Sequence, residues 1–527
     1  MKHVQRRTLA GRAALLAATV IAAGVVLPGT AGAATPLAGS QTGTVGAPAS
    51  GVAADGTVRG YVDAHNHLFT QEAFGGKMFC GKVFDPAGPT VALKDCPDHE
   101  PDGSGAIIEN LLSNGSPFGN HDPVGWPTFK DWPAHDSLTH QQNYYEWVER
   151  AWRGGLRIMV NDLVANRQLC DIYWIKQNSC DEMATIRLEA QRTRELEAYV
   201  DQQNGGAGKG WFRIVTSPAQ ARQVIAQGKL AVVLGIEVSE PFGCRQFMGV
   251  PLCNQQAIDR GLTEVYNLGV RSMFLCHKFD NALCGVRFDS ETQGSIVQVG
   301  NLLGSVTTWD VETCTGPAHD NNVQLSSVPT PHCNKKGLTS LGAYAVRGMM
   351  QRGMMIEVDH MSVKAADQTL DILEAARYPG VISSHSWSDA SYLPRIWALG
   401  GMVTQYGNPS QQFVAEWRRT AAQRQQYGVT GYGYGLDANG FGKQPGARPS
   451  NGGNPVRYPF TSADGAVTLN RLTTGQRTWD VNVDGVANYG LVPDWIEDMR
   501  ILGGQAIVDD MNRGAEQYLR TWEGATS

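Results

Sequence analysis

Two histidines, His65 and His67, stand one residue apart in the stretch Tyr61-Val-Asp-Ala-His-Asn-His-Leu68. The residues before them have the pattern of a strand, and residues i and i+2 of a strand point to the same side. The two imidazoles can therefore aim at one point, which suits a divalent transition metal such as zinc. A lone His-x-His pair is also compatible with two buried or surface histidines, so the interpretation depends on what the chain places beside it.

Further His, Glu and Asp residues occur where other strand-like segments end. Leu230-Ala-Val-Val-Leu-Gly-Ile-Glu237 is a continuous apolar run, which is typical of strands buried on both faces of a parallel sheet. The same design recurs in the segments that end at His277, His360, His385 and Asp437. Ionisable groups at such positions need partners or a metal ion, so core packing does not explain them.

Helical patterns alternate with these strands, for example at 259–268, 340–352 and 363–377. The alternation predicts an α/β fold of the (β/α)8 TIM barrel type with long insertions. Nine segments have a strand-like pattern, and we place the short one, 211–216, outside the barrel. The eight barrel strands are then expected to end at His67, around Asn161, and at Glu237, His277, His360, His385, Tyr406 and Asp437. Active sites of such barrels are built at these C-terminal strand ends.

The N-terminus predicts export. Residues 1–33 combine a basic start, an apolar run from Ala13 to Leu27 and the small-residue site Ala31-Gly-Ala33, which is typical of a secretory signal peptide. The Arg6-Arg7 pair partly fits a twin-arginine signal. We therefore expect a secreted, extracellular protein.

The remainder of the chain is interpreted as one domain with a leader. Residues 34–58, rich in Ala, Gly, Thr, Ser and Pro, predict a flexible leader, and residues 59–527 predict the barrel. We expect insertions near 70–145 and 285–338.

Charge and hydropathy limit the classes of binding partner that we expect. The formal net charge of −6 argues against nucleic acid and provides no basic patch for an anionic membrane. No stretch after the signal peptide approaches the roughly 18 apolar residues of a membrane span, so no stable membrane insertion is expected. The expected partner is a small-molecule or peptide substrate, and the oligomeric state stays open.

Ten cysteines in an exported chain predict disulfides. Pairing in sequence order would close five local loops, namely 80–96, 170–180, 244–253, 276–284 and 314–333. Sequence alone leaves other pairings possible.

The sequence does not predict a structural zinc knuckle. No C-x-x-C pair occurs, which argues against a structural zinc knuckle. Five further histidines in the insertion-like segments are interpreted as surface or lid residues, namely His121, His135, His140, His319 and His332.

Five motifs, in the expected order, resemble the metal-dependent amidohydrolases and, among them, the renal (membrane) dipeptidase-like peptidases. The motifs are Gly235-Ile-Glu237, Leu275-Cys-His277, Ile356-Glu-Val-Asp-His360-Met-Ser, Val381-Ile-Ser-Ser-His385-Ser and Gly435-Leu-Asp437-Ala-Asn-Gly440. The resemblance runs from about residue 60 to residue 520 and is interrupted by large insertions.

The resemblance implies a secreted hydrolase that cleaves an amide bond of a dipeptide-like substrate through attack by a hydroxide bridging two zinc ions. It implies five metal ligands, namely His65 and His67 for one zinc, His360 and His385 for the other, and Glu237 as the bridge between them. Asp437 would then accept the proton of the attacking water and pass it to the leaving amine. His277 would donate a hydrogen bond to the oxyanion of the tetrahedral intermediate.

Two departures from the family pattern leave the substrate open. The family has His-x-Asp on the first strand, where this chain has His65-Asn-His67. The family also binds the substrate carboxylate with an Arg shortly after the Ser-His-Ser strand, and Arg395 is nearby but does not align with it. Two alternatives therefore stay open: an amidohydrolase acting on another bond, such as a lactone or cyclic amide, and a non-catalytic secreted binding protein on the same barrel.

Overall fold

Nine parallel strands form the central sheet of the protein, in a computed structural model that describes residues 42–324, 326–449 and 453–527. The strands are β1 Tyr61–Asn66, β2 Leu156–Ala165, β3 Phe212–Ile214, β4 Leu230–Val238, β5 Ser272–Met273, β6 Met355–Glu357, β7 Val381–Ser383, β8 Met402–Tyr406 and β9 Gly433–Gly435. Their order in the sheet is β3-β4-β2-β1-β9-β8-β7-β6-β5. The predicted signal peptide lies outside the described residues.

Backbone hydrogen bonds join the two ends of this sheet into a barrel. The N–H groups of Arg271 and Phe274 donate to the carbonyls of Leu234 and Ile236 at 2.9 and 3.0 Å, which connects β5 to the second half of β4. The first half of β4 pairs instead with β3. Strand β3 therefore lies outside a ring of eight strands. The predicted (β/α)8 barrel is confirmed, with segment 211–216 outside it.

The helices alternate with the strands after β2 and continue beyond the barrel. In chain order they are α1 Pro89–Ala92, α2 Ile107–Asn114, α3 Tyr145–Arg153, α4 Arg167–Ile172, α5 Glu182–Gln203, α6 Pro218–Ala226, α7 Gln255–Asn267, α8 Glu291–Ser305, α9 Ser340–Met350, α10 Val363–Ala376, α11 Leu393–Ala398, α12 Ser410–Gln426, α13 Val481–Asp484, α14 Val492–Gly503, α15 Gln505–Asn512 and α16 Gly514–Thr526. Several begin at side-chain caps, because Ser, Thr and Asn oxygens accept otherwise unpaired N–H groups of the first turn. Asn254 caps α7 in this way, Thr339 caps α9 and Ser362 caps α10.

One end of the barrel is closed by the C-terminal helix α16. Its residues Tyr518, Leu519 and Trp522 are buried in a cluster with strand residues such as Val62 and Ile382. This apolar packing explains why the functional side chains occur at the opposite, C-terminal ends of the strands. Among the described helices, none has the length and apolar composition needed to cross a membrane.

Two long connections and several small hairpins surround the barrel. Short antiparallel pairs are formed by Val311–Thr313 with His332–Asn334, by Gln246–Phe247 with Val250–Pro251, and by Thr473–Thr474 with Arg477–Thr478. Thr44–Val45, Thr468–Leu469 and Phe460–Thr461 make a three-stranded sheet, so part of the segment before the barrel is hydrogen-bonded to the domain. The long connections run from β1 to α3 and from β5 to α9.

Five disulfides link segments outside the barrel strands, three of them within the two long connections, and they are the five pairs expected from sequence order. They join Cys80 to Cys96, Cys170 to Cys180, Cys244 to Cys253, Cys276 to Cys284 and Cys314 to Cys333. Disulfides on this scale are typical of proteins in oxidising, extracellular environments.

Candidate metal centre

All seven predicted site residues meet at the C-terminal ends of the barrel strands. His65 lies within β1 and Glu237 within β4, and the other five follow the ends of their strands by one to four residues, namely His67, His277, His360, His385 and Asp437. Parallel strands of a closed barrel end on one rim, so residues far apart in sequence converge there. Six of the seven side chains, all but that of His277, form two donor sets that share Glu237.

The first donor set contains His65, His67, Glu237 and Asp437. The Nε2 atoms of the two histidines are 3.1 Å apart. Nε2 of His67 lies 3.4 Å from Oε2 of Glu237 and 3.1 Å from Oδ1 of Asp437. Nε2 of His65 lies 3.6 Å from each of the same two oxygens. Asp437, expected from the resemblance to act only as a proton carrier, thus also lies where a fourth ligand would be.

The second donor set contains Glu237, His360 and His385. The Nε2 atoms of its two histidines are 2.9 Å apart, and Nε2 of His360 lies 3.3 Å from Oε1 of Glu237. The two oxygens of Glu237 therefore face different histidine pairs. Oε1 is buried and makes no well-aligned hydrogen bond among the described residues. Imidazole nitrogens and carboxylate oxygens at these separations fit divalent zinc-type cations.

Two buried aspartates orient the histidines from behind. Nδ1 of His65 lies 3.1 Å from Oγ of Ser384 and 3.2 Å from Oδ2 of Asp162, and Nδ1 of His385 lies 3.1 Å from Oδ2 of Asp359. Such contacts hold the ring and leave Nε2 free for a metal, as in carboxylate–histidine–metal arrangements. Asp359 also accepts hydrogen bonds from Ser383 and from the backbone N–H of His385. Sequence reasoning missed both aspartates, although Asp359 directly precedes His360.

Two glycines leave room for this arrangement. A Cβ atom at Gly235 would lie 1.9 Å from Oδ1 of Asp162. A Cβ atom at Gly435 would lie 2.0 Å from the carbonyl oxygen of Ser384 and 3.0 Å from the Cβ atom of His65. Both glycines precede site residues by two positions, so the close packing behind the donors accounts for their identity.

The backbone is strained at two site residues. His360 and Asp437 have φ values of 63° and 51°, in the left-handed region that residues with a Cβ rarely occupy. Such conformations cost of order 1–3 kcal/mol and occur preferentially at functional sites. The strain turns both side chains towards the shared carboxylate at the strand ends.

The charges of the site favour a cation. Burial lowers the pKa of His67, but Asp437 and Glu237 outweigh it and raise that pKa well above its usual value. Burial raises the pKa of Glu237, yet the neighbouring His277 and His65 hold it well below its ordinary range. Glu237 therefore stays ionised and makes positive charge favourable beside it, as a divalent cation requires.

His277 occupies a different position from the other histidines. Its Nε2 atom lies 3.6 Å from Oε2 of Glu237, and its ring is 4.5 Å from that of His360 in an edge-to-face contact. Burial lowers the pKa of His277 to about 3, so its imidazole is neutral. It belongs to neither donor set and lines the cavity above them.

A cavity of about 1030 Å³ opens above the second donor set. Glu237, His277, His360, His385 and Asp437 form its floor. Its walls come largely from apolar residues of the two long connections, among them Phe74, Ile108, Leu111, Leu138, Val299 and Leu303. The cavity therefore combines a polar, acidic floor with apolar walls.

Arg395, the sequence candidate for binding a substrate carboxylate, is engaged elsewhere. Its guanidinium contacts carboxylates of Asp367, Asp371 and Glu374 at 2.6 to 2.7 Å. The residue lies on α11 and does not line the cavity described above. Of the three other cations that line the cavity, Lys278 contacts Asp289 and Arg419 contacts Glu416, whereas Lys443 is exposed.

Comparison with known protein families finds a match to one part of the chain. Residues 307–393 match the sequence model of the family described as membrane dipeptidase (peptidase family M19), and the matched segment contains His360 and His385. The match confirms the resemblance found in the motifs. No curated protein matches the chain.

Solved structures with detectable similarity include metallopeptidases and an amidohydrolase. An amidohydrolase from Pseudomonas aeruginosa is 15% identical with a TM-score of 0.41, over 72% of this chain and 92% of that one. A metallopeptidase from Rhodobacter sphaeroides, liganded with a phosphinate mimic of the dipeptide L-Ala-D-Ala, is 13% identical with a TM-score of 0.42, over 88% of this chain and 98% of that one.

Proposed function

We propose, from the premise that this chain is a metal-dependent hydrolase of the membrane dipeptidase-like amidohydrolases, that it is a secreted enzyme cleaving an amide bond at a centre of two zinc ions. The position of Glu237 carries this proposal. One carboxylate oxygen lies 3.4 Å from His67 and the other lies 3.3 Å from His360. A carboxylate shared in this way offsets the repulsion between two cations bound close together.

Different residues of the chain would bind the cations and transfer protons. His65, His67, His360, His385 and Glu237 would hold the two cations, and Asp437 would complete the first donor set. When bound, the cations would supply Lewis acidity that acidifies a water and polarises the scissile carbonyl.

Asp437 and His277 would carry out the remaining steps. Asp437 accepts the proton of the attacking water, and its side chain is 17% exposed at the cavity floor. It passes this proton to the nitrogen of the leaving amine as the carbon–nitrogen bond breaks. His277 donates from Nε2 to the oxygen of the former carbonyl, where negative charge develops.

The cavity walls support a second candidate substrate beside a free dipeptide. A dipeptide carries a carboxylate that needs a cationic partner, and because Arg395 contacts three acidic residues outside the cavity, Lys443 of the cavity lining is the candidate for that role. The walls instead present residues such as Leu111, Leu138 and Leu303. Apolar walls around a few polar groups are typical of sites for uncharged, apolar ligands. An amide or lactone with a large apolar group is therefore the second candidate substrate.

Metal analysis followed by a matched substrate panel tests these proposals. The purified mature chain should hold zinc at the barrel mouth, and His360→Ala should lower its content by one equivalent. The panel pairs dipeptides with uncharged amides and lactones that carry either a short or a long apolar group. Faster hydrolysis of the long-chain members supports the second candidate, and faster hydrolysis of dipeptides supports the first. A fully metal-loaded protein that hydrolyses none of them would instead be a binding protein.

A further inference from the structure

A second concentration of metal-type side chains lies in the connection between β1 and α3. We call it the insertion cluster, and it consists of Cys80, Cys96, His99, Glu109, His121 and His140. His121 and His140 were expected to be surface or lid residues, but His140 is fully buried and His121 is half-buried. Three imidazoles in a buried position need a common explanation.

The three rings pack edge-to-face around one point. The ring centroids of His99, His121 and His140 are 4.8 to 5.1 Å apart in all three pairs. Nδ1 of His99 lies 3.2 Å from Nε2 of His121. Two nitrogens bound to one tetrahedral zinc at the usual bond length are about 3.3 Å apart. The spacing therefore fits a shared cation.

His140 has the carboxylate–histidine arrangement seen at the barrel mouth. Its Nδ1 atom lies 3.1 Å from Oε2 of Glu109, just as Nδ1 of His385 lies 3.1 Å from Asp359. Both of its ring nitrogens are buried, and neither makes a well-aligned hydrogen bond among the described residues. A carboxylate behind one ring nitrogen and a free nitrogen in front is the arrangement that orients histidine ligands in metal sites.

Several separate segments position this cluster. Cys80 and His140 form a parallel bridge, with the N–H of Cys80 donating to the carbonyl of Thr139 at 2.9 Å. The disulfide to Cys96 brings in the short helix Pro97–His99. Donor atoms of Cys80, Cys96, His99 and His140 all lie within 4.8 Å of one another. The two sulfurs are joined to each other, so the nitrogens are the free donors.

We propose that the insertion cluster binds one divalent transition-metal cation of the zinc type through His99, His121 and His140, with Glu109 orienting His140. This site is separate from the two donor sets at the strand ends, because every member comes from the β1–α3 connection. Neighbouring residues of that connection, Ile108 and Leu138, line the cavity. The cation therefore has a structural role, in fixing the wall of the cavity.

Metal analysis of matched variants of the full-length mature protein tests this site. His140→Asn and His121→Asn should each lower the zinc content by one equivalent relative to wild type. His135→Asn is the control, because His135 is a more exposed histidine of the same connection and should leave the content unchanged. Unchanged zinc content in both cluster variants would overturn the proposal, since a hydrogen bond between His99 and His121 and an ion pair between His140 and Glu109 would then explain the geometry.

Diffraction data collected at the zinc absorption edge provide a second test that needs no variant. An anomalous peak between the three rings is the expected result. A map with peaks at the barrel mouth and none at the insertion cluster would overturn the proposal, while leaving the proposed function intact. A map with a peak at the insertion cluster and none at the barrel mouth would contradict the proposed function and leave the insertion-cluster site intact. The two proposals can therefore be contradicted independently.

Discussion

The two halves of the barrel-mouth centre differ in how they meet the cavity. The half with His65 and His67 has four protein donors, including Asp437, whereas the half with His360 and His385 has three. Of these four histidines, the cavity is lined by His360 and His385. Structural zinc sites have all positions filled by protein, and catalytic sites keep one open. We therefore propose that a substrate would approach through the second half.

We expect the largest effect on zinc content and hydrolysis from replacing Glu237, the carboxylate that the two halves share. Glu237→Gln removes the negative charge that both donor sets share, so we expect the zinc content of the barrel mouth to fall from two equivalents to one or less and hydrolysis to fall to background. Glu240→Gln is the matched control, because Glu240 is a buried neighbour that contacts Arg245 instead of the histidines. Retention of both cations by Glu237→Gln would contradict a bridging role.

Replacement of Asp437 tests whether the half with four donors needs this residue for catalysis or for zinc binding. General acid–base catalysis contributes roughly 10²–10⁴-fold, so Asp437→Asn should lower turnover by about that factor. Because the amide keeps an oxygen in place of Oδ1, zinc content should change little. Turnover and zinc stoichiometry are measured on the same preparation. Loss of zinc together with activity would show that Asp437 is chiefly a ligand, and unchanged turnover would contradict the mechanism.

The aspartates behind the histidines allow the two halves to be weakened one at a time. Removing such an orienting group typically costs 10–100-fold in metal affinity. Asp359→Asn should therefore weaken zinc at His385, and Asp162→Asn should weaken it at His65. Competition with a chelator at graded concentrations measures both affinities. Equal loss at both positions from either variant would show that the halves bind their cations as one unit.

The smallest expected effect is a difference in the rate at which the wild-type protein loses its two barrel-mouth cations. Three protein donors and an adjoining cavity should make the cation at His360 and His385 exchange faster than the cation at His65 and His67. Exposure to a chelator over time should therefore remove the barrel-mouth zinc in two phases. His360→Ala, which lacks the faster site, should show the slow phase only. A single phase in wild type would remove the distinction between a closed and an open half.

Much of this architecture could be predicted from the sequence. The apolar run before Glu237 and the alternation of strands with helices predicted a parallel barrel, because burial on both faces leaves a continuous apolar signal. The placement of His, Glu and Asp at strand ends indicated the residues that the structure brings together at one rim. Sequence order also predicted the five disulfides, since each closes a local loop.

Only the tertiary structure decided how the site residues are distributed between the two donor sets and which side chains contact them from behind. The placement of Asp437 in the first donor set, the contacts of Asp162 and Asp359, and the burial of His140 join atoms from segments far apart in the chain. Strand and helix patterns report which face of an element is buried, because that depends on neighbours a few residues away. Distances across the barrel depend instead on how the strands close and how long connections fold over the rim, and no local pattern carries that information.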